Sequence, residues 1–160
     1  MKLTTDKTLN ATADQIWNLL GERFADIGAW SKAIERSELN GPLDEGGVRT
    51  CELKPTPIGS GTIRERITRF NRGRREVSYE ILEGLPGFMR YVETAWTVAP
   101  TVNGRAQVKS VLTIRLAWYA RPLALMVRRQ FAKTIDGFMM ELETKAPSED
   151  RVVEAVAMAG

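Results

Sequence analysis

The 160 residues contain no histidine and a single cysteine, Cys51. Without histidine there is no Ser-His-Asp or Cys-His catalysis, no histidine-held metal, and no side chain of the type that most often shuttles protons near neutral pH. One cysteine cannot close an internal disulfide or build a cysteine zinc site, which points to a reducing, cytoplasmic setting. No apolar run approaches the ~20 residues of a bilayer span, and Met1–Asp6 lacks the apolar stretch of a secretory signal, so no stable membrane insertion is expected. Excess charge is also missing. The 23 Lys+Arg against 20 Asp+Glu leave a net charge of +3, too weak a field for a nucleic-acid binder that works by counterion release. The pI near 9.2 reflects the absence of histidine more than strong basicity. No phosphate-cradling glycine motif, dinucleotide fingerprint or metal-ligand spacing occurs, so neither metal nor cofactor is expected.

What remains is the composition of one ordinary globular domain, 43% hydrophobic and 27% charged. At this length folding hides roughly 70% of the unfolded surface, enough for an interior that can be left partly hollow. Residues 2–9 read as a short strand, and Thr12-Ala13-Asp14-Gln15 is a capping box that starts a helix near residue 13. Ile16, Trp17, Leu20 and Phe24 continue an apolar stripe, while Gly21 and Gly28 divide the stretch into two short helices. From Ile34 to about Trp118 six strands follow in series, separated by turn residues such as Asn40-Gly41-Pro42, Asn71-Arg72-Gly73 and Asn103-Gly104. Their connections are too short for helical crossovers, so neighbours pair antiparallel in a curling meander. Leu123, Val127, Phe131, Ile135, Phe138 and Leu142 then mark one long helix from about 121 to 145, long enough to cross a seven-stranded sheet. Pro147 and Ser148 end the pattern. The reading is a single α+β domain over residues 1–146, with 147–160 a frayed or disordered tail.

Alternation along the strands assigns inner faces. Ile63, Glu65 and Ile67 share one face, and Arg49, Cys51 and Leu53 share another, which brings a carboxylate and a guanidinium into neighbouring buried rows. Neither charge is stable there alone, so Arg49 and Glu65 are expected to pair, in a bidentate fork. Such a pair either braces the sheet or anchors a ligand, Arg49 holding a carboxylate or carbonyl oxygen and Glu65 orienting it. Proton transfer by Glu65 is the less favoured version, because a neighbouring guanidinium opposes the raised pKa that a base would need. Tyr79 shares a face with Val77 and Ile81, as a core tyrosine or as a donor to a ligand carbonyl. Arg49, Glu65 and Tyr79 are thus the candidates for chemistry. Trp96 and Ser110 belong to faces that complete an apolar lining. Phe131, Ile135, Phe138 and Met139 would close it from the helix, with Gly137 offering a ligand close approach to the backbone. The basic runs Arg64-Glu65-Arg66, Arg69 to Arg75 and Arg128-Arg129 read as a solvated face.

The element order, with Trp30 and Ile34, Gly47-Val48-Arg49-Thr50, Gly61-Thr62-Ile63-Arg64-Glu65-Arg66-Ile67 and Val77-Ser78-Tyr79, resembles the START and birch-pollen-allergen (SRPBCC) superfamily, in its polyketide cyclase/dehydrase and lipid-transport branch. The resemblance spans residues 3 to 145 and implies a helix-grip fold: a strongly curved antiparallel sheet of about seven strands around the C-terminal helix. It also implies an internal cavity for a lipid, polyketide or related metabolite, which Trp30, Cys51 and Ile67 would help to line. The loops at Lys54–Gly61 and Gly84–Phe88 resemble gates, which would place Ile58, Leu85 and Phe88 near the mouth with Trp30; as plain hairpin turns they would have no such role. Two other functions stay open: a cofactor-free cyclase, aromatase or dehydratase working by proximity, and a protein-interaction module.

Overall fold

The computed structural model describes residues 1–55 and 61–160, with backbone alone at 149–153. Strand β1 (Lys2–Leu9) leads to the short helix α1 (Ala13–Trp17), a π turn (Asn18–Glu22), a 3-10 turn (Phe24–Asp26) and α2 (Ile27–Trp30). Thr12 caps α1 as the sequence predicts. Its hydroxyl accepts from the Gln15 amide at 3.2 Å while the Gln15 side chain accepts from the Thr12 amide at 3.0 Å, which satisfies two of the orphan donors of the first turn.

Six strands follow, β2 (Ile34–Asn40), β3 (Val48–Leu53), β4 (Thr62–Asn71), β5 (Glu76–Glu83), β6 (Met89–Pro100) and β7 (Ala106–Leu116). They form one antiparallel sheet in the order β1-β7-β6-β5-β4-β3-β2. The turns take glycine where geometry demands it. Gly84 has φ +97°, and a Cβ there would lie 2.4 Å from the Thr62 carbonyl oxygen, a contact no side chain tolerates.

A 3-10 turn (Trp118–Leu123), which takes in Pro122, precedes α3 (Ala124–Ala159). The helix therefore begins a few residues later than the periodicity suggests and runs past Pro147, where the sequence pattern ends. Proline removes a main-chain donor there. Ala146 just before it is 1% exposed and anchored in the core, whereas 154–160 are exposed throughout.

The interior falls into two apolar clusters. One gathers Leu9, Ile16, Leu19, Phe24, Trp30, Val77, Trp96 and Val98 around Ile135, Met139, Leu142 and Ala146 of α3. The other packs Leu3, Val92, Leu112 and Ile114 around Val127. Helix α3 crosses both, and the sheet and helix do not meet fully where the clusters adjoin.

Candidate functional site

That junction holds a cavity of about 220 Å³, walled by β3–β7 on one side and by Phe131, Ile135 and Phe138 of α3 on the other. Its lining is mostly apolar, with Ser31 and Thr134 at its outer edge and one charged corner within. Arg49 and Glu65 are directly opposite each other in the β3/β4 ladder, so their side chains leave the same face a few ångströms apart. Arg49 is 3% exposed and Glu65 9%.

The pair is not the expected fork. Nε and Nη2 of Arg49 both donate to Oε2 of Glu65, at 2.9 and 2.6 Å, while Nη1 donates to the Phe24 carbonyl at 2.7 Å. The 3-10 turn after α1 thus takes the remaining guanidinium nitrogen, while the two on the carboxylate side converge on one oxygen. Cys51 Sγ lies 3.8 Å from the same Oε2, so one carboxylate oxygen is crowded with donors. The other, Oε1, has no hydrogen-bond partner among the described residues, on a side chain that lines the cavity. Phe24 covers the guanidinium with its ring centroid 3.7 Å from Cζ, and Tyr79 flanks it at 5.3 Å.

Tyr79 and Thr94 face each other across β5 and β6. The indole Nε1 of Trp96 donates to the Tyr79 hydroxyl at 3.1 Å. Because that nitrogen can only donate, the phenol oxygen is the acceptor and its own proton is left to point elsewhere. Burial, reinforced by Glu65, pushes the Tyr79 phenol up to about 12, so it remains a donor at neutral pH. For Arg49, burial alone works against the charge, but Glu65, followed by Cys51 and Tyr79, more than offsets it and the net shift is upward. Burial also pushes the Cys51 thiol from 9.0 up to about 11, against the pull of Arg49. This thiol is not a nucleophile at neutral pH.

The Cys51 shift has a measurable consequence. A thiol that keeps its proton in the folded state while losing it in the unfolded state near pH 9 makes unfolding easier as pH rises, at 1.36 kcal/mol per unit. Stability should be undiminished by this group below about pH 9 and fall by about 3 kcal/mol between about pH 9 and about pH 11. Urea midpoints across that window should decline more steeply for the natural protein than for a Cys51→Ala variant; equal slopes would refute the burial effect.

The other sequence candidates divide clearly. Arg49, Cys51, Glu65, Tyr79, Trp96, Phe131, Ile135 and Phe138 line the cavity, whereas Trp30, Ile67, Ser110 and Met139 do not. Ile67 and Met139 are packed in the core, and Trp30 lies behind Phe138 with ring centroids 5.3 Å apart. Ser110 is 1% exposed, and neither its hydroxyl nor the Trp30 indole N–H has a hydrogen-bond partner among the described residues. Leu85 and Phe88 pack against the second cluster and do not line the cavity; Ile58 lies outside the described residues. Gly137 is exposed and does not line the cavity itself, but borders a surface depression beside its mouth. Among residues the sequence did not single out, Ile27, Ser31, Ala33 and Thr134 mark the mouth, with Ala33 and Thr134 exposed. A surface depression sharing Ser31, Ala33, Thr134 and Phe138 with the cavity continues outward past Gln130 and Lys133. Among the described residues no cluster of acidic or cysteine side chains could hold a metal ion.

The family model for polyketide cyclase / dehydrase and lipid transport matches residues 1–147. The chain belongs to this family. Solved structures carry the same helix-grip fold. Ara h 8.0201 superposes with a TM-score of 0.79 at 14% identity, covering 92% of this chain and 98% of its own. The Zhui aromatase/cyclase from Streptomyces sp. R1128 gives 0.74 at 17%, with 95% of each chain covered. Norcoclaurine synthase from Thalictrum flavum gives 0.72 at 15%, with 90% and 84% covered. At such identities these likenesses establish the fold alone. No curated protein matches the sequence. For this member of the polyketide cyclase/dehydrase and lipid transport family, the cavity between sheet and α3 fits binding of a ligand or cyclisation of one. No described helix is long and apolar enough to cross a membrane.

Proposed function

We propose that this chain binds a hydrophobic small molecule, a lipid, polyketide or related metabolite, in the cavity between sheet and helix. The observation that carries the reading is an apolar hollow whose one polar corner presents an uncommitted carboxylate oxygen, a buried guanidinium and a phenol with its proton to give. Apolar burial at roughly 25 cal/mol per Å² would supply affinity, and the corner would fix orientation through a ligand hydroxyl or carbonyl. At about 220 Å³ the cavity is smaller than the ~300–1,000 Å³ of most small-molecule sites. A longer ligand would therefore extend into the depression beside Lys133.

Native mass spectrometry of freshly purified protein should show a bound hydrophobic compound. In a panel of lipids and polyketides, a binder present at a hundredfold excess over its dissociation constant adds about 2.7 kcal/mol, a rise in Tm of roughly 5–10 °C. A Tyr79→Phe variant should bind a carbonyl-bearing member about tenfold more weakly. A bare mass and a flat melting panel would refute the reading.

A second reading, a cofactor-free cyclase or dehydratase, is favoured by the same corner, where Glu65, Tyr79 and Thr94 converge. Glu65 Oε1 would be its base. Turnover of a poly-β-ketone abolished by Glu65→Gln, with binding retained, would select it over the carrier.

A further inference from the structure

We propose that the outer face of the first turns of α3, with the 3-10 turn before it, docks this protein onto an anionic lipid bilayer. Several cations elsewhere are answered: Arg64, Arg66, Arg72 and Arg75 pair with Glu83, Glu80, Glu22 and Asp14, while Arg69, Arg90, Lys109 and Arg115 on the strands have no ion pair among the described residues. The region around the helix start is set apart by having no acidic residue near it in sequence. From Thr94 to Ile135 the chain has seven Lys or Arg and no acidic residue. Arg121, Arg128, Arg129 and Lys133 have no ion pair among the described residues.

Large apolar side chains stand exposed among these charges. Trp118 is 80% exposed and Leu125 and Met126 are each 59%. Pro122, Leu125, Met126, Arg129 and Lys133 border one surface depression and recur at the three- and four-residue spacing of a single helix face. Trp118 and Tyr119 meet edge to face at 5.9 Å, and the Tyr119 hydroxyl donates to the Gly87 carbonyl at 3.3 Å, which ties the aromatic pair to the Gly84–Phe88 loop. Aromatic rings with polar edges, aliphatic tips, and long cationic stems able to reach headgroups while burying their methylenes are the combination that an interface of acyl chains and anionic headgroups selects.

Charge decides between occupants. A second copy docking by the same face would set these unpaired cations against their equals, which costs affinity. A bilayer bearing phosphatidylglycerol supplies the missing negative charge. Net charge of +3 spread evenly would give little attraction; cations concentrated on one face give about fivefold in affinity for each that reaches the surface. The face also adjoins the depression that leads to the cavity, sharing Gln130 and Lys133 with it, so docking would set the cavity mouth beside the bilayer.

The test is sedimentation of the whole chain with vesicles of phosphatidylcholine alone and of phosphatidylcholine mixed with phosphatidylglycerol. Binding should occur with the mixed vesicles only and should be lost near 1 M salt, where the screening length is about 3 Å. Trp17, Trp30 and Trp96 are buried, so a blue shift of fluorescence on binding would report Trp118. Arg129→Glu with Lys133→Glu, and separately Leu125→Ser with Met126→Ser, should each weaken binding at least tenfold without lowering Tm, since all four side chains are exposed. The proposal is overturned if mixed vesicles fail to bind at low salt, or if neither pair of substitutions changes binding. It is equally overturned if Leu125→Ser with Met126→Ser abolishes a dimer in solution while vesicle binding is absent. None of these readouts depends on the cavity being occupied.

Discussion

An Arg49→Met variant should lose about 3–5 kcal/mol of stability, the usual result when one partner of a buried ion pair is removed and the other charge is stranded. For a chain of this size that is a fall in Tm of roughly 10 °C or more. The loss comes less from the pair's own attraction than from Glu65, which is 9% exposed and would keep only the weak Cys51 contact. The Phe24 carbonyl would lose its guanidinium donor as well. Replacing both partners, Arg49→Met with Glu65→Leu, should recover most of the stability, because apolar groups of similar volume often do as well as a buried pair. That double variant should nevertheless fail to bind any compound the natural protein holds. A double-mutant cycle in urea, with a ligand titration on each corner, measures both effects. A single-variant cost below about 1 kcal/mol would mean that water solvates the stranded Glu65 carboxylate and that the corner does not hold the pair by burial.

Trp96→Ala should cost a comparable 3–5 kcal/mol. Trp96 is 1% exposed, packs on Phe138 at 5.4 Å between centroids, and gives Tyr79 its hydrogen bond. Its indole also forms part of the cavity wall, so the space vacated would merge with the existing hollow and not become a sealed void. An aromatic dye such as an anilinonaphthalene sulfonate should therefore bind the variant more tightly than the natural protein and restore part of the lost stability. Trp96→Phe should cost about 1 kcal/mol or slightly more, since most of the volume stays and only the N–H is lost. A Trp96→Ala loss under about 2 kcal/mol, or dye binding unchanged, would show that the wall collapses inward and that the ring does not hold the cavity open.

How far the site was legible in the sequence follows from what alternation can report. Period two assigns a side chain to the inner face, and it did so for Arg49, Cys51, Glu65, Tyr79 and Trp96. It does not say how far along a curved sheet the hollow lies. Ile67 shares the Glu65 face and Met139 follows Phe138 on the helix, yet both pack solidly because the clusters close over them. The Arg49 bond to the Phe24 carbonyl joins a strand side chain to a main-chain oxygen 25 residues away, and side-chain patterning reports neither that bond nor the one-oxygen pairing beside it. The mouth at Ala33 and Thr134 was missed because neither belongs to an apolar stripe; Thr134 comes one residue before Ile135. The fold was more legible than the site, since capping box, turn residues and helix stripe are local signals that agree with one another.

The place of β1 in the sheet has a consequence for synthesis. Lys2 pairs with Thr113 and Leu9 with Ala106, partners about a hundred residues away, and β1 has no other neighbour in the order of strands. On the ribosome the hairpins from β2 to β6 can zip as they emerge, but β1 must wait for β7, and α3 follows later still. Until then the greasy inner surface lies open to whatever is nearby. Closure over such long separations is slow, so an unpaired edge and an uncovered apolar face persist longer than they would in a chain built from neighbouring contacts.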